Sequence, residues 1–192
     1  MRSLYVGLLI LICASNLQGQ APRRIGDDQP LRNSLNRLPT AERESIFRAL
    51  QPEIHAWLEG FKDANEEELK QQVLSIQRDL RYELRGDLIL VQAHNLDGCG
   101  AVGNCQFFLL DGKHHVLLSN VAAYYLTILT SLHHGDPDIL LGEHISASET
   151  AQTWYRFNGS RYEAVRCAID NYGLPYLDGK RHREFGPCKA TP

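Results

Sequence analysis

The spacing of apolar residues along the chain changes near Leu80. Before that point apolar residues recur every three or four positions, as on one face of a helix. After it they alternate with polar residues at Leu80, Tyr82 and Leu84, which is typical of a half-buried strand. The helical stripe is Ile46, Phe47, Leu50, Ile54, Trp57, Leu58 and Phe61. The pattern predicts helices in residues 39–80 and strands in residues 81–168.

The helical part carries signals for two helices. Thr40 follows Pro39 as a plausible N-cap, and Pro52 is expected to kink the first helix or to start another. Asn65 and Glu68 have the spacing of a capping box, ahead of a second apolar stripe. That stripe is Leu69, Val73, Ile76 and Leu80. The helical part is therefore predicted to form a hairpin of helices.

Two dipeptides mark β-hairpins in the second half. Asp111-Gly112 and Asn158-Gly159 each lie between apolar runs, and both are expected to supply the positive φ angles of a tight turn. The breaker Gly135-Asp136-Pro137 separates two further strands. The apolar run 121–132 is predicted as strand, with a helix as the open alternative, because a short apolar run does not settle the type by itself.

These signals predict a single α+β domain over residues 39–192. Its N-terminal helical hairpin would pack on an antiparallel β-meander of six or seven strands. Residues 169–192 would form a tail tethered by a disulfide. Residues 21–38 contain two prolines and four arginines without apolar periodicity, which predicts a mobile arm.

The first 20 residues are typical of a secretory signal peptide. Arg2 precedes an apolar run from Leu4 to Ala14, followed by small or polar residues through Gln20. That run is about half the roughly 20 residues that a membrane-spanning helix needs. We therefore predict a secreted or periplasmic protein without a membrane span.

Four cysteines remain after the leader: Cys99, Cys105, Cys167 and Cys188. An even number in an exported chain predicts disulfides, with three possible pairings. Pairing Cys99 with Cys105 and Cys167 with Cys188 is favoured, because each bond would close a loop rich in turn-forming residues. A zinc site is disfavoured, since five residues separate the first two cysteines where zinc sites usually have two to four.

Charge and length exclude some functions. The formal net charge is −3, and it becomes −4 once Arg2 leaves with the leader. This balance gives no basic surface for a polyanion, so no nucleic-acid partner is predicted. About 172 residues would remain, which suits one domain.

Several segments resemble a group of small secreted bacterial proteins of unassigned activity. The resemblance covers residues 97–168 and rests on the segments Cys99-Gly100-Ala101-Val102-Gly103-Asn104-Cys105, His134-Gly135-Asp136-Pro137-Asp138, His144 with Ser146–Thr150, and Tyr155–Gly159 with Tyr162 and Cys167. It implies an exported, β-rich bacterial domain and brings no catalytic residues with it.

The candidate metal ligands are His134, Asp138 and His144. Imidazole and carboxylate groups bind divalent metals such as zinc, and a strand followed by a turn would bring the three together. Such a site would support a metal-dependent hydrolase. No motif of fixed ligand geometry is present, and His133 and His134 would point to opposite faces of a strand. No other cofactor is predicted.

Other chemistry has weaker support. Ser146 or Ser148 with His144 and Asp138 supplies the residue types of a catalytic triad without a nucleophile motif. Asp138 with Glu143 or Glu149 supplies paired carboxylates, and Asp136 with Asp138 supplies two of the six to eight oxygens that calcium needs. Asn158-Gly159-Ser160 matches a glycosylation sequon, although a turn already explains it.

Aromatic residues are the candidate binding groups. Trp154, Tyr155 and Tyr162 concentrate aromatic area late in the predicted sheet. In a strand Trp154 and Arg156 would share one face, and Tyr155 and Phe157 the other. An exposed set would form a binding platform. The predicted function is therefore a non-enzymatic binding or envelope-interaction domain with an unknown protein or envelope component as partner, and the alternative is the metal-dependent hydrolase.

Overall fold

The computed structural model describes residues 23–26, 31–59, 65–171, 182–186 and 188. They contain three α-helices, α1 (Thr40–Glu59), α2 (Glu66–Arg78) and α3 (Leu96–Cys99), and a short 3₁₀ turn at Leu35–Arg37. The predicted leader lies outside the described residues. In the described part of the chain, no helix is both long and apolar enough to cross a bilayer.

The strands form two antiparallel sheets. The outer sheet has the order β1-β7-β8-β9-β10-β11, and the middle sheet has the order β2-β3-β4-β5-β6. The outer strands are β1 (Arg23–Gly26), β7 (Tyr125–His133), β8 (Asp136–Ser146), β9 (Glu149–Phe157), β10 (Tyr162–Asn171) and β11 (His182–Gly186). The middle strands are β2 (Asn33–Ser34), β3 (Leu80–Arg85), β4 (Leu88–Ala93), β5 (Cys105–Asp111) and β6 (Val116–Ala123).

The middle sheet is buried on both faces and separates two cores. Phe107 and Leu109 of β5 face the outer sheet, while Phe108 and Leu110 face the helices. This explains the continuous apolar run of β5, which has no polar face to expose. The molecule thus has three layers: helices, middle sheet and outer sheet.

Both long helices are present, although Thr40, the predicted N-cap, is the first residue of α1. Asn65 accepts hydrogen bonds from the backbone N–H groups of Glu67 and Glu68, and the Glu68 carboxylate accepts one from the Asn65 N–H, so the capping box is confirmed. Pro52 lies inside α1 and does not start a second helix. Buried residues on both sides of Pro52 hold the helix against the middle sheet: Ile46, Leu50, Ile54 and Leu58.

The α+β class is correct, but a meander of six or seven strands is wrong. Eleven strands are described, and the run 121–132 is strand rather than helix. The chain leaves the middle sheet after Ala123 and enters the outer sheet at Tyr125, so one apolar run serves two sheets. Periodicity records alternation along a strand and carries no signal for such a change of sheet.

The predicted mobile arm is also corrected where it is described. Residues Arg23–Gly26 pair with β7, and Asn33–Ser34 pair with β3. Ile25, Leu31 and Leu35 are buried. These isolated apolar residues show no periodicity, and they fill gaps at the edges of the sheets. The domain therefore begins before residue 39.

Both predicted hairpins are present, with one change at the first. Gly159 has the expected positive φ of 100°, but in the Asp111-Gly112 hairpin the positive φ belongs to His114, at 68°. Asp111 Oδ1 accepts the backbone N–H groups of Lys113 and His115, each at 2.8 Å. Burial raises the pKa of Asp111, but these bonds and the His115 side chain outweigh it, so the net pKa is lowered.

The favoured cysteine pairing is confirmed. Cys99 is bonded to Cys105, which joins α3 to the start of β5, and Cys167 is bonded to Cys188. The second bond fixes the residues that follow β11 to the inner side of β10. This inner side, which faces the middle sheet, forms part of the site described below.

Gly142 of β8 should not tolerate a side chain. The Tyr125 ring covers Gly142 closely enough to overlap any Cβ atom, and the Tyr125 hydroxyl accepts a hydrogen bond from Gln152 Nε2 at 2.7 Å. Gly142→Ala must displace this ring, and we expect a loss of about 2 kcal/mol in the free energy of unfolding in urea. Gly112→Ala is the matched control, because its Cβ atom would make only ordinary contacts. Equal stability of the two variants would contradict the packing described for Tyr125.

Candidate ligand-binding cleft

The three predicted metal ligands do not meet. His134 lies in the turn between β7 and β8, while Asp138 and His144 lie on β8 six residues apart. Six residues of strand span about 20 Å. No group of three or more His, Cys, Asp or Glu side chains in the described ranges is placed to hold a metal ion.

Asp138 instead joins neighbouring strands. It is only 8% exposed, and its carboxylate binds the Ser131 hydroxyl and His133 Nδ1, each at 2.8 Å. Arg156 Nε lies 3.8 Å away. The turn was expected to place His134 beside Asp138. His133 lies there instead, because it is still part of β7. This cluster therefore links β7, β8 and β9.

The residue types of a catalytic triad are also dispersed. The Ser146 hydroxyl donates to Glu149, and the His144 ring lies against Tyr124 at 4.0 Å between centroids. Asp138 is engaged by His133 as described above. The predicted nucleophile, base and acid therefore have separate partners.

The predicted aromatic platform is divided between two faces. Tyr155 and Tyr162 are buried between the sheets, and the Tyr162 hydroxyl donates to the Pro137 carbonyl at 2.9 Å. Burial, together with Asp136 and Asp138, raises the pKa of Tyr162, which keeps the phenol protonated. Trp154 lies on the opposite face of the outer sheet, where Arg166 stacks 5.3 Å from its ring centroid. The three rings do not form one surface.

A cleft of about 740 Å³ opens beside β6 instead. Strand β6 is an edge of the middle sheet, and the inner face of the outer sheet extends beyond it. One wall is formed by Trp57 of α1 with Gln106, Asn120, Val121 and Ala122. The opposite wall is the inner face of strands β8 to β11. Its residues include Leu141, Glu143, Ile145, Ala151, Thr153, Tyr155, Cys167, Ile169 and Glu184.

The outer-sheet wall carries an ordered row of side chains. Glu143 pairs with Ala151, Ala151 with Ile169, and Ile169 with Glu184 across four strands. Two apolar residues thus lie between two carboxylates. Adjacent strands are about 4.8 Å apart, so the ends of this row are about 14 Å apart. None of the described residues that line the cleft is Lys or Arg.

The wall beside β6, here called the β6 wall, includes Gln106 of β5 and Asn120 of β6, and both carry buried amide atoms without partners. Gln106 is 1% exposed, and neither its Oε1 nor its Nε2 has a hydrogen-bond partner. The Oδ1 of Asn120 is buried and unpartnered as well. Such atoms cost about 1 to 3 kcal/mol each, so they mark places where a ligand group can recover free energy.

A bulge in β6 places Asn120. Between the pairs Phe107–Val121 and Leu109–Leu118, β6 advances three residues while β5 advances two. Asn120 accordingly adopts a positive φ of 54°, which is uncommon outside glycine. Bulges that redirect a side chain in this way are frequent next to functional sites.

A second hollow of about 730 Å³ continues along β6. It shares Asn120, Val121 and Tyr155 with the cleft. Cys167 lines the cleft and Cys188 lines the hollow, so the disulfide between them lies where the two spaces join.

The sequence carries a signal for this site in residues that are not chemically reactive. Gln106 interrupts an apolar strand that is buried on both faces, and Asn120 interrupts the next one. A polar residue within a fully buried strand needs a partner, which makes it a candidate binding residue.

The chain has no match among the protein-family models, the curated proteins or the solved structures with which it was compared.

Proposed function

We propose that this protein is an exported, non-enzymatic binding domain that holds a small organic ligand in the cleft beside β6. The proposal places the ligand around the bulged edge of the middle sheet, between Trp57 of α1 and the inner face of the outer sheet. The volume of about 740 Å³ suits a small molecule. Such sites are mostly apolar with a few fixed polar groups, as this cleft is.

Unpartnered buried atoms on two amides carry the proposal. A fold gains nothing from burying Gln106 Oε1 and Nε2 and Asn120 Oδ1 without partners. Leucine in place of Gln106 would satisfy the packing of β5 without this cost. A ligand that enters the cleft and hydrogen-bonds these groups gives a reason for both residues.

Export is supported by the two disulfides. Such bonds persist in oxidising compartments and are rare in the cytosol. The signal peptide predicted in residues 1–20 and the resemblance to secreted bacterial proteins agree with a periplasmic or secreted location. Under this proposal the ligand comes from the surroundings of the exported protein, which include the cell envelope.

No contact among the described residues favours hydrolysis at a metal centre. His134, Asp138 and His144 would have to leave separate environments to share one ion.

A ligand screen tests the proposal. The mature protein is heated with separate panels of neutral, cationic and anionic small molecules, and the midpoint of thermal unfolding is recorded. We expect at least one compound to raise the midpoint, because a ligand that binds only the folded state stabilises it. The shift should vanish in Ala151→Phe, which fills the cleft, and persist in Thr130→Phe, an exposed site on β7. A shift that survives Ala151→Phe, or no shift with any panel, would contradict the proposal.

A further inference from the structure

We propose that the ligand of this cleft is an aliphatic diamine or polyamine, held at its ends by Glu143 and Glu184. The inference rests on the proposed function and specifies its ligand class. It is drawn from the row of side chains on the outer sheet, from the charge of the lining residues and from the unpartnered acceptor oxygen of Asn120.

The row has the form of an extended diamine. Glu143 and Glu184 stand at its two ends, and Ala151 and Ile169 lie between them. A methylene chain laid across the four strands would bury its apolar surface on the two central residues. Its terminal ammonium groups would lie at the two carboxylates, about 14 Å apart at the backbone.

The charge of the cleft selects for a cation. Two carboxylates line it, and the described lining residues include no Lys or Arg. The adjoining hollow adds Glu53 and Glu163, with Arg161 paired to Glu163 at 3.4 Å. An anionic ligand laid along the row would meet carboxylates at both of its ends. Glu143 has other contacts, but a carboxylate has about four acceptor positions, so an ammonium can be added to them.

The β6 wall offers an acceptor for the interior of such a ligand. Asn120 Oδ1 is an unpartnered oxygen that can only accept hydrogen bonds. Gln106 lies on the helix-facing side of β5 with Phe108 and borders the cleft beside Trp57, so it is not assigned to this row. The inner ammonium group of a polyamine carries two N–H donors, one of which can bond Asn120 Oδ1.

An added peptide strand fits the same groove less well. The pairing of β6 with β5 shifts register at two places. One lies opposite Phe107–Leu109 of β5 and the other opposite Leu109–Leu110. A bulged edge interrupts the regular spacing of hydrogen bonds that a new strand needs, and natural sheets use bulges to block such pairing. A compact ligand does not need a regular edge.

Isothermal titration calorimetry of the mature protein with putrescine, cadaverine and spermidine tests the inference. Hexanediol and succinate are the neutral and anionic comparisons. We expect saturable binding of at least one amine, with no heat from either comparison compound. Glu143→Gln and Glu184→Gln should each weaken binding about tenfold, since a hydrogen bond to a charged group is lost. Glu44→Gln, an exposed carboxylate on α1, is the matched control and should leave the affinity unchanged.

The outcomes separate this inference from the proposed function. Binding of a neutral or anionic compound that is lost in Ala151→Phe, without binding of any amine, would overturn the diamine and leave the proposed function standing. Tight binding of a lysine-rich peptide without binding of free amines would likewise overturn it. If Glu44→Gln weakened binding as much as Glu184→Gln, the binding would reflect general charge attraction, and the diamine inference would be overturned. No binding by any compound would count against both.

Discussion

Gln106→Leu should make the protein more stable and at the same time stop it from binding ligand. The substitution keeps the volume of the side chain and removes two buried polar atoms that have no partner. We expect a gain of about 1 to 2 kcal/mol in the free energy of unfolding. Ligand affinity should fall at least tenfold, because an acceptor in the cleft wall is lost. Urea unfolding and calorimetric titration of one sample measure both effects.

Gln92→Leu is the matched control for this result. Gln92 is also buried, with an unpartnered Oε1, but it lies on β4 and does not line the cleft. Its replacement should raise stability and leave ligand affinity unchanged. A loss of stability in Gln106→Leu would mean that the amide makes stabilising contacts in the folded protein, and the assignment of Gln106 to ligand binding would fail.

Removing the disulfide between Cys167 and Cys188 should cost both stability and binding. The bond closes a loop of 21 residues and lies where the cleft joins the second hollow. From loop entropy, Cys167→Ala with Cys188→Ala should lower the free energy of unfolding by about 3 kcal/mol. Binding should weaken because β11, which carries Glu184, is then held beside the cleft only by its pairing with β10. Urea unfolding and titration again report the two effects.

The other disulfide provides the comparison. Cys99 and Cys105 close a loop of only six residues, and neither lines the cleft. The double alanine variant should lose about 2 kcal/mol and keep its ligand affinity. Equal loss of binding in the two double variants would contradict a specific role for the Cys167–Cys188 bond.

Local features of this fold were predictable because their causes are local. The capping box needs only Asn65 and Glu68, and the hairpin at Asn158-Gly159 needs only a turn between two apolar runs. The disulfide pairing was favoured, among three possible ones, because turn-forming residues lie inside each loop. In each case, the residues that determine the feature are close together in the sequence.

The features that form the cleft depend on contacts between distant segments. The change of sheet at Tyr124 leaves β6 as an edge and lets the outer sheet extend beyond it. The row from Glu143 to Glu184 exists only once four strands are in register. Reactive residue types alone therefore point to His134 and His144, while the unpartnered groups are amides within apolar strands.

Trp57 fluorescence gives the most direct test of the claim that a ligand occupies this cleft. The chain has two tryptophans, and only Trp57 lines the cleft, while Trp154 lies on the far side of the outer sheet. In Trp154→Phe, where Trp57 is the sole emitter, titration with the best ligand of the thermal screen should change the emission to a saturating level. In Trp57→Phe the emission of Trp154 should not change. A response from Trp154 alone would place the ligand on the other face and contradict the account.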